Sequence, residues 1–215
     1  MDLLATNQPI EKLYFIRRPH DIDIDKDIEC SIVKKETMDK MTTQNHQGFI
    51  AAIKKFEYYD LECIFRDNPQ NVLILDHIQD PQNLGSIMRT VNGAGWRHII
   101  IPKNRSASVN DTVLRVASGG HIGIKVIKVN SLVSAIQKMK NHNFWVYATS
   151  LENAIDIKEL KEFNKPCALV LGNESKGVSK TILNLSDQNI KIPMHGTVQS
   201  LNVSVAAAIL LFLGK

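Results

Sequence analysis

The sequence predicts an α/β domain over residues 71–215, built on a parallel sheet with helices on both faces, behind a small α+β N-terminal domain. Three observations carry this. Apolar runs of strand length lack polar alternation, "VLILDHI" (72–78) and "CALVLG" (167–172) among them, as strands covered on both faces do. Segments of helical spacing separate them, with Leu84, Ile87, Met88 and Val91 recurring at 3, 4 and 7 residues after the first run. Gly, Asn, Ser and Pro gather where the runs end, and open parallel sheets bind ligands beyond their strands' carboxyl ends.

The elements follow in order. Residues 1–55 are the expected small domain, with strand "KLYFI" (12–16), the stretch "RRPHDIDIDKDI", strand "ECSIVKK", a short helix in "ETMDKMT" and a strand or exit segment in "QGFIAAIKKF". Asp21, Asp23, Asp25 and Asp27 alternate along the second of these. The run lacks the central glycine and closing glutamate of a calcium loop, so it reads as solvated. Residues 56–70 are the expected linker, because Pro69 and Asn71 punctuate the approach to the next strand. Beyond it the pattern predicts strand 72–78, a helix opening at Leu84 with Asn83 as its cap, strand "HIIIP" (98–102) and a helix near 108–118. Strand "IKVIKV", helix 131–141, strand "FWVYAT", a short helix near 157–163, strand 167–172, strand "NIKIP" and a C-terminal helix complete the alternation.

Composition narrows the function classes. Of 215 residues, 44% are apolar and 22% charged, which is ordinary for a globular protein and unlike a disordered one. Cys30, Cys63 and Cys167 form no C-x-x-C pair, so neither a zinc site nor a disulfide framework is indicated and a reducing cytoplasm fits. The N-terminus shows no leader pattern, and "VSVAAAILLFL" (203–213) is too short to span a bilayer; no membrane partner is expected. Residues 1–70 hold 10 Lys+Arg against 13 Asp+Glu, residues 71–215 hold 16 against 9. A polyanion should therefore meet the second part.

The stretch "ALVLGNESKGVSK" (168–180) raises the question of phosphate binding. Gly172, Gly177 and Ser179 stand in the register of G-x-x-x-x-G-K-[ST], but Val178 occupies the lysine position, and the cation facing the β- and γ-phosphates is missing. The fingerprint G-x-G-x-x-G is absent too. A nucleoside triphosphate or a dinucleotide is thus not the expected ligand.

Three loops belong together: "PQNLGSIMRT" after the first strand, "LVLGNESKGVS" with Glu174, and "IPMHGTVQSLNVSVAAAI", where Ser200 and Asn202 stand at the mouth of an apolar helix. In this order they resemble the three motifs of the SpoU (TrmH) family of RNA ribose 2′-O-methyltransferases in the SPOUT superfamily. The match spans roughly residues 70–214, and "NHQGFIAAI" (45–53) looks like the junction after that family's small RNA-binding domain.

The resemblance implies a SPOUT fold with a C-terminal trefoil knot, S-adenosyl-L-methionine as cofactor, no metal, and a homodimer in which Arg89 of one chain serves the other's cofactor. It implies cofactor contacts from Gly172, Ile192 and Leu201, with Thr149 beside them, mainly through main-chain atoms, and hence no need for the missing lysine. Arg89 would meet the RNA phosphate and assist removal of the 2′-hydroxyl proton; because a guanidinium surrenders its proton poorly, stabilising the developing alkoxide is its safer role. Asn83, Glu174, Ser200 and Asn202 would orient these groups. The expected substrate is RNA, 23S ribosomal RNA at a guanosine ahead of transfer RNA, and DNA is not expected. A catalytically silent RNA-binding or ribosome-assembly protein of the same fold is the other reading. The short path from "RRPH" to "IECSIV" departs from the family and suggests a reduced N-terminal domain.

Overall fold

The structure, a computed structural model, describes residues 10–17, 24, 26–43, 45–53 and 56–213. The chain forms two compact units, Met1–Phe56 and Glu57–Lys215. In the smaller, β1 (Ile10–Phe15) lies between β2 (Glu29–Ile32), which runs parallel to it, and β3 (Phe49–Ile53), which runs antiparallel. Strand periodicity sends Leu13 and Phe15 to one side. Both are buried, as is Met38 of α1 (Lys35–Met41), and the Phe15 ring centroid lies 5.3 Å from that of Phe49. Asp21, Asp23 and Asp25 lie outside the described residues.

The larger unit opens with α2 (Glu62–Asp67), β4 (Asn71–Asp76), α3 (Pro81–Gly93), β5 (His98–Pro102), α4 (Asp111–Ala117) and β6 (Lys125–Val129). It continues with α5 (Leu132–Asn141), β7 (Trp145–Thr149), β8 (Ile155–Asp156), β9 (Cys167–Gly172), α6 (Lys180–Leu185), β10 (Gln188–Lys191) and α7 (Val203–Leu213). Seven parallel strands form one sheet in the order β6-β5-β4-β9-β7-β10-β8. Val72, Ile74, Ile100, Ile127 and Val170 pack with Ile136 and Met139 of α5 and Ile182 of α6. The alternate residues Leu73, Leu75, Ile99 and Leu171 are buried against the other face, where α3 packs on α4 and α7. Burial on both faces explains the unbroken apolar runs, each enclosed Ile or Leu contributing roughly 1.5–3 kcal/mol.

The chain runs outward from β4 through β5 to β6, and β9 returns to β4's other side. Between β4 and β9 the direction of winding reverses, and the loops leaving their carboxyl ends diverge. Such a switch point opens a crevice for a ligand.

Four local expectations are corrected. The helix expected to open at Leu84 begins at Pro81, because Asp80 is the N-cap, its Oδ1 accepting from Gln82 N–H at 2.9 Å, and proline suits the first helical position. Asn83 therefore caps nothing at that end. The helix expected near 157–163 is one 3-10 turn, Ile157–Glu159; Phe163 leaves it to pack 4.5 Å from the Tyr147 ring, the Tyr147 hydroxyl accepts from Asn164 N–H at 2.9 Å, and Pro166 disfavours helix before it. Residues 56–70, expected as a linker, hold α2, with Ile64 fully buried in the larger unit's core. The fourth is α6, which falls between two expected strands and at six residues is too short to register as a period.

The first residues of the larger unit also close the sheet. Tyr59 pairs with Ile127 on β6, its N–H donating to the Val126 carbonyl at 2.9 Å and its carbonyl accepting from Lys128 N–H at 3.2 Å. Asp67 at the end of α2 then acts as a clasp. One carboxylate oxygen, Oδ2, accepts from Lys125 Nζ at 2.6 Å, His98 Nε2 at 2.7 Å and Cys63 Sγ at 3.6 Å. Cys63, Asp67 and His98 thus bring three ligand-type atoms within 4.8 Å of one another, a grouping the sequence does not announce; Lys125 supplies its positive charge.

The Lys125 ammonium first, then His98, hold the Asp67 carboxyl down at about 2 from the ordinary 3.8. A carboxyl depressed in the folded state adds stability that is complete above the unfolded value near 4 and fades as pH falls through about 2. Asp67→Asn should lower the Tm of the larger unit by roughly 2–4 °C at pH 7, after allowance for solvent screening. The gap from the parent protein should close as pH is taken from 4 to 2; a gap that persists unchanged contradicts the clasp. Burial pushes the Cys167 thiol up to about 12, which leaves it no thiolate chemistry at neutral pH.

Candidate active site

The carboxyl ends of β4 and β9 stand side by side, with Asp76 the register partner of Gly172. Gly172 has no room for a side chain. A Cβ there would lie 2.0 Å from the Gly177 carbonyl carbon and 2.1 Å from Val178 N. The loop folds back on its own strand end, Gly177 N–H donating to the Asn173 carbonyl at 2.8 Å, with Gly177 in the left-handed region at φ 66. Asn173 braces it from inside, Oδ1 accepting from Ser175 N–H at 3.0 Å and its hydroxyl at 2.7 Å while Nδ2 donates to the His77 carbonyl at 2.9 Å. Asp76, 3% exposed, accepts from Ser179 N–H at 2.8 Å and from His77 Nδ1 at 2.6 Å. Sequence reasoning alone misses Asp76 and Asn173; the available signal is a carboxylate closing an otherwise apolar strand.

Beside this loop opens a cavity of about 480 Å³, of the size that holds a nucleoside-like ligand. Thr149, Gly172, Glu174, Ile192, Ser200 and Leu201 all line it, so these six sequence-predicted positions meet in one place although they span four separate strands and loops. Thr149 Oγ1 donates to the Val170 carbonyl at 3.3 Å. The lining is apolar at Leu171, Val178, Ile190 and Ala206, and carries both signs of charge at Lys176, Lys191, Glu152 and Glu174. A ligand with an aromatic body and a zwitterionic tail matches that mixture.

Asn83, Glu174 and Asn202 are joined by hydrogen bonds whose direction follows from chemistry. A carboxylate only accepts, so Asn83 must turn its amide nitrogen toward Glu174, and Nδ2 donates to Oε1 at 2.6 Å. That leaves Asn83 Oδ1 to accept from Asn202 Nδ2 at 3.1 Å. Asn202 Oδ1 in turn accepts from Ser204 N–H at 2.8 Å and Ser204 Oγ at 2.7 Å in the first turn of α7. Three segments separated by 91 and 119 residues are thereby tied to one another. Asn83 is buried within α3 and Asn202 is exposed.

Arg89 is the sequence-predicted residue that does not join them. It is exposed on the third turn of α3, lines no part of the cavity, and has no hydrogen bond or ion pair among the described residues. Six residues of helix separate it from Asn83, about 9 Å of rise and about 240° of rotation, so the two side chains leave α3 in different directions. Its backbone is nevertheless held firmly. A Cβ on Gly120 would come 2.5 Å from the Arg89 Cα, and one on Gly85 would come 2.7 Å from the Val113 carbonyl oxygen, so α4 and the loop after it sit hard against α3.

Comparison with known proteins places these features in company. Residues 70–212 match the model of the SpoU rRNA Methylase family, and residues 1–59 match that of RNA 2′-O ribose methyltransferase substrate binding. A TrmH family tRNA/rRNA methyltransferase of Staphylococcus aureus (strain COL) is 35% identical over 224 residues, covering 98% of this chain and 90% of the relative. Among solved structures, an RNA methyltransferase of the TrmH family from Porphyromonas gingivalis superposes with a TM-score of 0.77 at 25% identity, over 100% of this chain and 85% of the other. The A. aeolicus TrmH/SpoU tRNA modifying enzyme gives 0.62 at 32% identity, over 67% and 73%. The AdoMet bound rRNA methyltransferase from Sinorhizobium meliloti gives 0.81 at 23% identity over 99% and 82%, a likeness of fold.

Proposed function

Because the chain belongs to the SpoU rRNA Methylase family of RNA methyltransferases, we propose that it methylates a ribose 2′-oxygen of 23S ribosomal RNA, at a guanosine, with S-adenosylmethionine as donor. The observation that carries the reading is the cavity at the carboxyl ends of β7, β9 and β10, walled by a glycine that cannot be replaced and joined through Glu174 to the Asn83–Glu174–Asn202 relay. The residues present fit the cofactor: Gly172 lets main chain come within contact distance, Ile192 and Leu201 offer apolar surface, and Thr149 lines the same cavity. When bound, S-adenosylmethionine supplies an activated methyl group on a sulfonium.

The remaining work falls to side chains of this protein. The relay fixes Glu174, and with it the loop 173–177, relative to the first turns of α3 and α7. Ser200, exposed at the cavity wall, is placed to meet the incoming ribose. Arg89 stabilises negative charge on the 2′-oxygen as its proton leaves. Since Arg89 turns away from the cavity of its own chain, we assign it to the cavity of a second copy in a homodimer. Exposed apolar residues on α7 support that assignment: Val203, Ala207, Leu210 and Leu211 are buried, while Val205, Phe212 and Leu213 remain 47%, 49% and 56% exposed. A helix apolar nearly all round calls for cover on more than one side.

Ribosomal RNA is preferred over transfer RNA because the "NHQGF" junction and the small N-terminal unit resemble the ribosomal branch. Free cysteines and an RNA substrate fit the cytoplasm, and no helix among the described residues is long and apolar enough to cross a membrane. The test is mass-spectrometric mapping of 2′-O-methylation in RNA from cells with and without the protein. Loss of a single ribose methyl in 23S RNA is the expected result, and its base is read in the same spectrum. A lost methyl in transfer RNA overturns the substrate, and an unchanged map overturns the activity.

A further inference from the structure

We infer that the loop 103–108 between β5 and α4, together with Lys128 on β6, forms a basic rim on the β5–β6 side of the sheet that grips the phosphate backbone of the substrate RNA outside the cavity. The inference rests on RNA being the substrate. Lys103 and Arg105 are exposed, and among the described residues neither side chain has a hydrogen-bonding or ionic partner. Unpaired cations on a loop of free shape would mean little. This loop is held. Lys103 N–H donates to the Val129 carbonyl at 2.9 Å, Ala107 N–H to the Ile78 carbonyl at 2.7 Å, Ser106 Oγ to the same carbonyl at 3.2 Å, and Gln79 Nε2 to the Arg105 carbonyl at 3.5 Å.

Two of those anchors, Ile78 and Gln79, belong to the connection that leads from β4 into α3, the helix carrying Asn83 and Arg89. The rim is therefore fixed to the connection that leads into the helix of two proposed catalytic groups. Arg105 adopts φ 54, a left-handed conformation that side chains with a Cβ disfavour and glycine does not. An exposed arginine kept in that conformation, where glycine would be unstrained, points to a use for its side chain. Lys128 extends the row toward the sheet edge. Its ammonium lies 3.8 Å from the centroid of the Tyr58 ring and 3.0 Å from Ser108 Oγ, while the Tyr58 hydroxyl accepts from Val109 N–H at 2.7 Å. An aromatic face and a hydroxyl hold this cation in place without neutralising it. The acids nearest along the chain, Asp80 and Asp111, stand at helix starts, and Asp80 is engaged with Gln82 N–H.

Fixed, unneutralised cations gathered on one braced loop and the adjoining strand suit a polyanion whose phosphates repeat along a strand, and they position without reading sequence. The probe is 23S ribosomal RNA transcribed without modification, bound by full-length protein across a salt series and methylated with labelled S-adenosylmethionine. Lys103→Gln combined with Arg105→Gly, the glycine suiting the left-handed backbone, should weaken RNA binding and raise the RNA KM by about tenfold, and flatten the slope of log K against log salt by about 1 for each phosphate no longer neutralised. kcat at saturating RNA, S-adenosylmethionine affinity and Tm should stay at parental values. Lys138→Gln on α5, opposite the proposed track, is the control and should change none of these. RNA affinity and salt slope equal to the parent's overturn the rim, and so does a fall in kcat with RNA affinity intact. If the parent protein binds S-adenosylmethionine but neither binds nor methylates the transcript, the substrate assignment fails and takes the rim with it.

Discussion

Arg89→Ala should reduce methyl transfer by about 10²–10³-fold, the scale on which removing one preorganised donor from a developing oxyanion acts. S-adenosylmethionine affinity should hold, because Arg89 lines no part of the cavity. Calorimetry of cofactor binding beside single-turnover methylation separates the two, and a large loss of cofactor affinity with normal RNA binding would show the role misassigned. Arg89→Lys should fail as well, since an ammonium lacks the planar fork of donors. The placement of Arg89 on a different side of α3 from Asn83 adds a sharper expectation. Mixing Arg89→Ala chains with Asn202→Ala chains, each inactive alone, should restore activity once subunits exchange, because some mixed dimers hold one complete site. Verified exchange with no recovery removes the shared site.

Gly172→Ala should be the most damaging alanine substitution at any glycine among the described residues. Its Cβ would fall 2.0 Å and 2.1 Å from backbone atoms of residues 177 and 178, and backbone cannot swing aside as a side chain tip does. The loop must separate from the end of β9, breaking the Gly177–Asn173 hydrogen bond and pulling Ser179 from Asp76. A cost on the order of 3 kcal/mol or more follows, together with at least about a 100-fold loss of S-adenosylmethionine affinity. Gly196→Ala, with nothing within 4 Å of the added carbon, is the matched control. Parental Tm and cofactor affinity in Gly172→Ala would mean the loop is not the cofactor wall.

What the sequence discloses and what it hides divide along physical lines. The central strands of the larger unit are legible because burial on both faces leaves continuous apolar runs, while the two-residue β8 leaves no pattern to read; α3 and α5 are legible because each repeats its apolar stripe for two turns or more. Helices of six residues, α2 and α6, offer less than two turns and leave no period to read. The site is legible as a set of positions because the motifs end strands, but its wiring is not. Asn83 looks like a cap from its neighbours, yet Asp80 takes that task and Asn83 instead bridges residues 91 and 119 positions away. No local pattern encodes such a bond. The asymmetry between Asn83 and Arg89 is readable in principle from helix geometry alone, once the helix start is known.

The Tyr59–Ile127 pairing has a consequence for how the protein survives before it is fully folded. A seven-stranded sheet of Val- and Ile-rich strands exposes, at each unfinished edge, a row of free amides and carbonyls able to recruit a strand from another molecule. Here one edge is β8, two residues long, and the other is β6, covered where Tyr59 pairs with it. One margin is short and the other is occupied at its centre, which blunts both as templates. The few residues ahead of α2 therefore act as a selvedge, and a fragment cut at residue 70 would keep every proposed catalytic group while baring the edge along which such domains stick to one another.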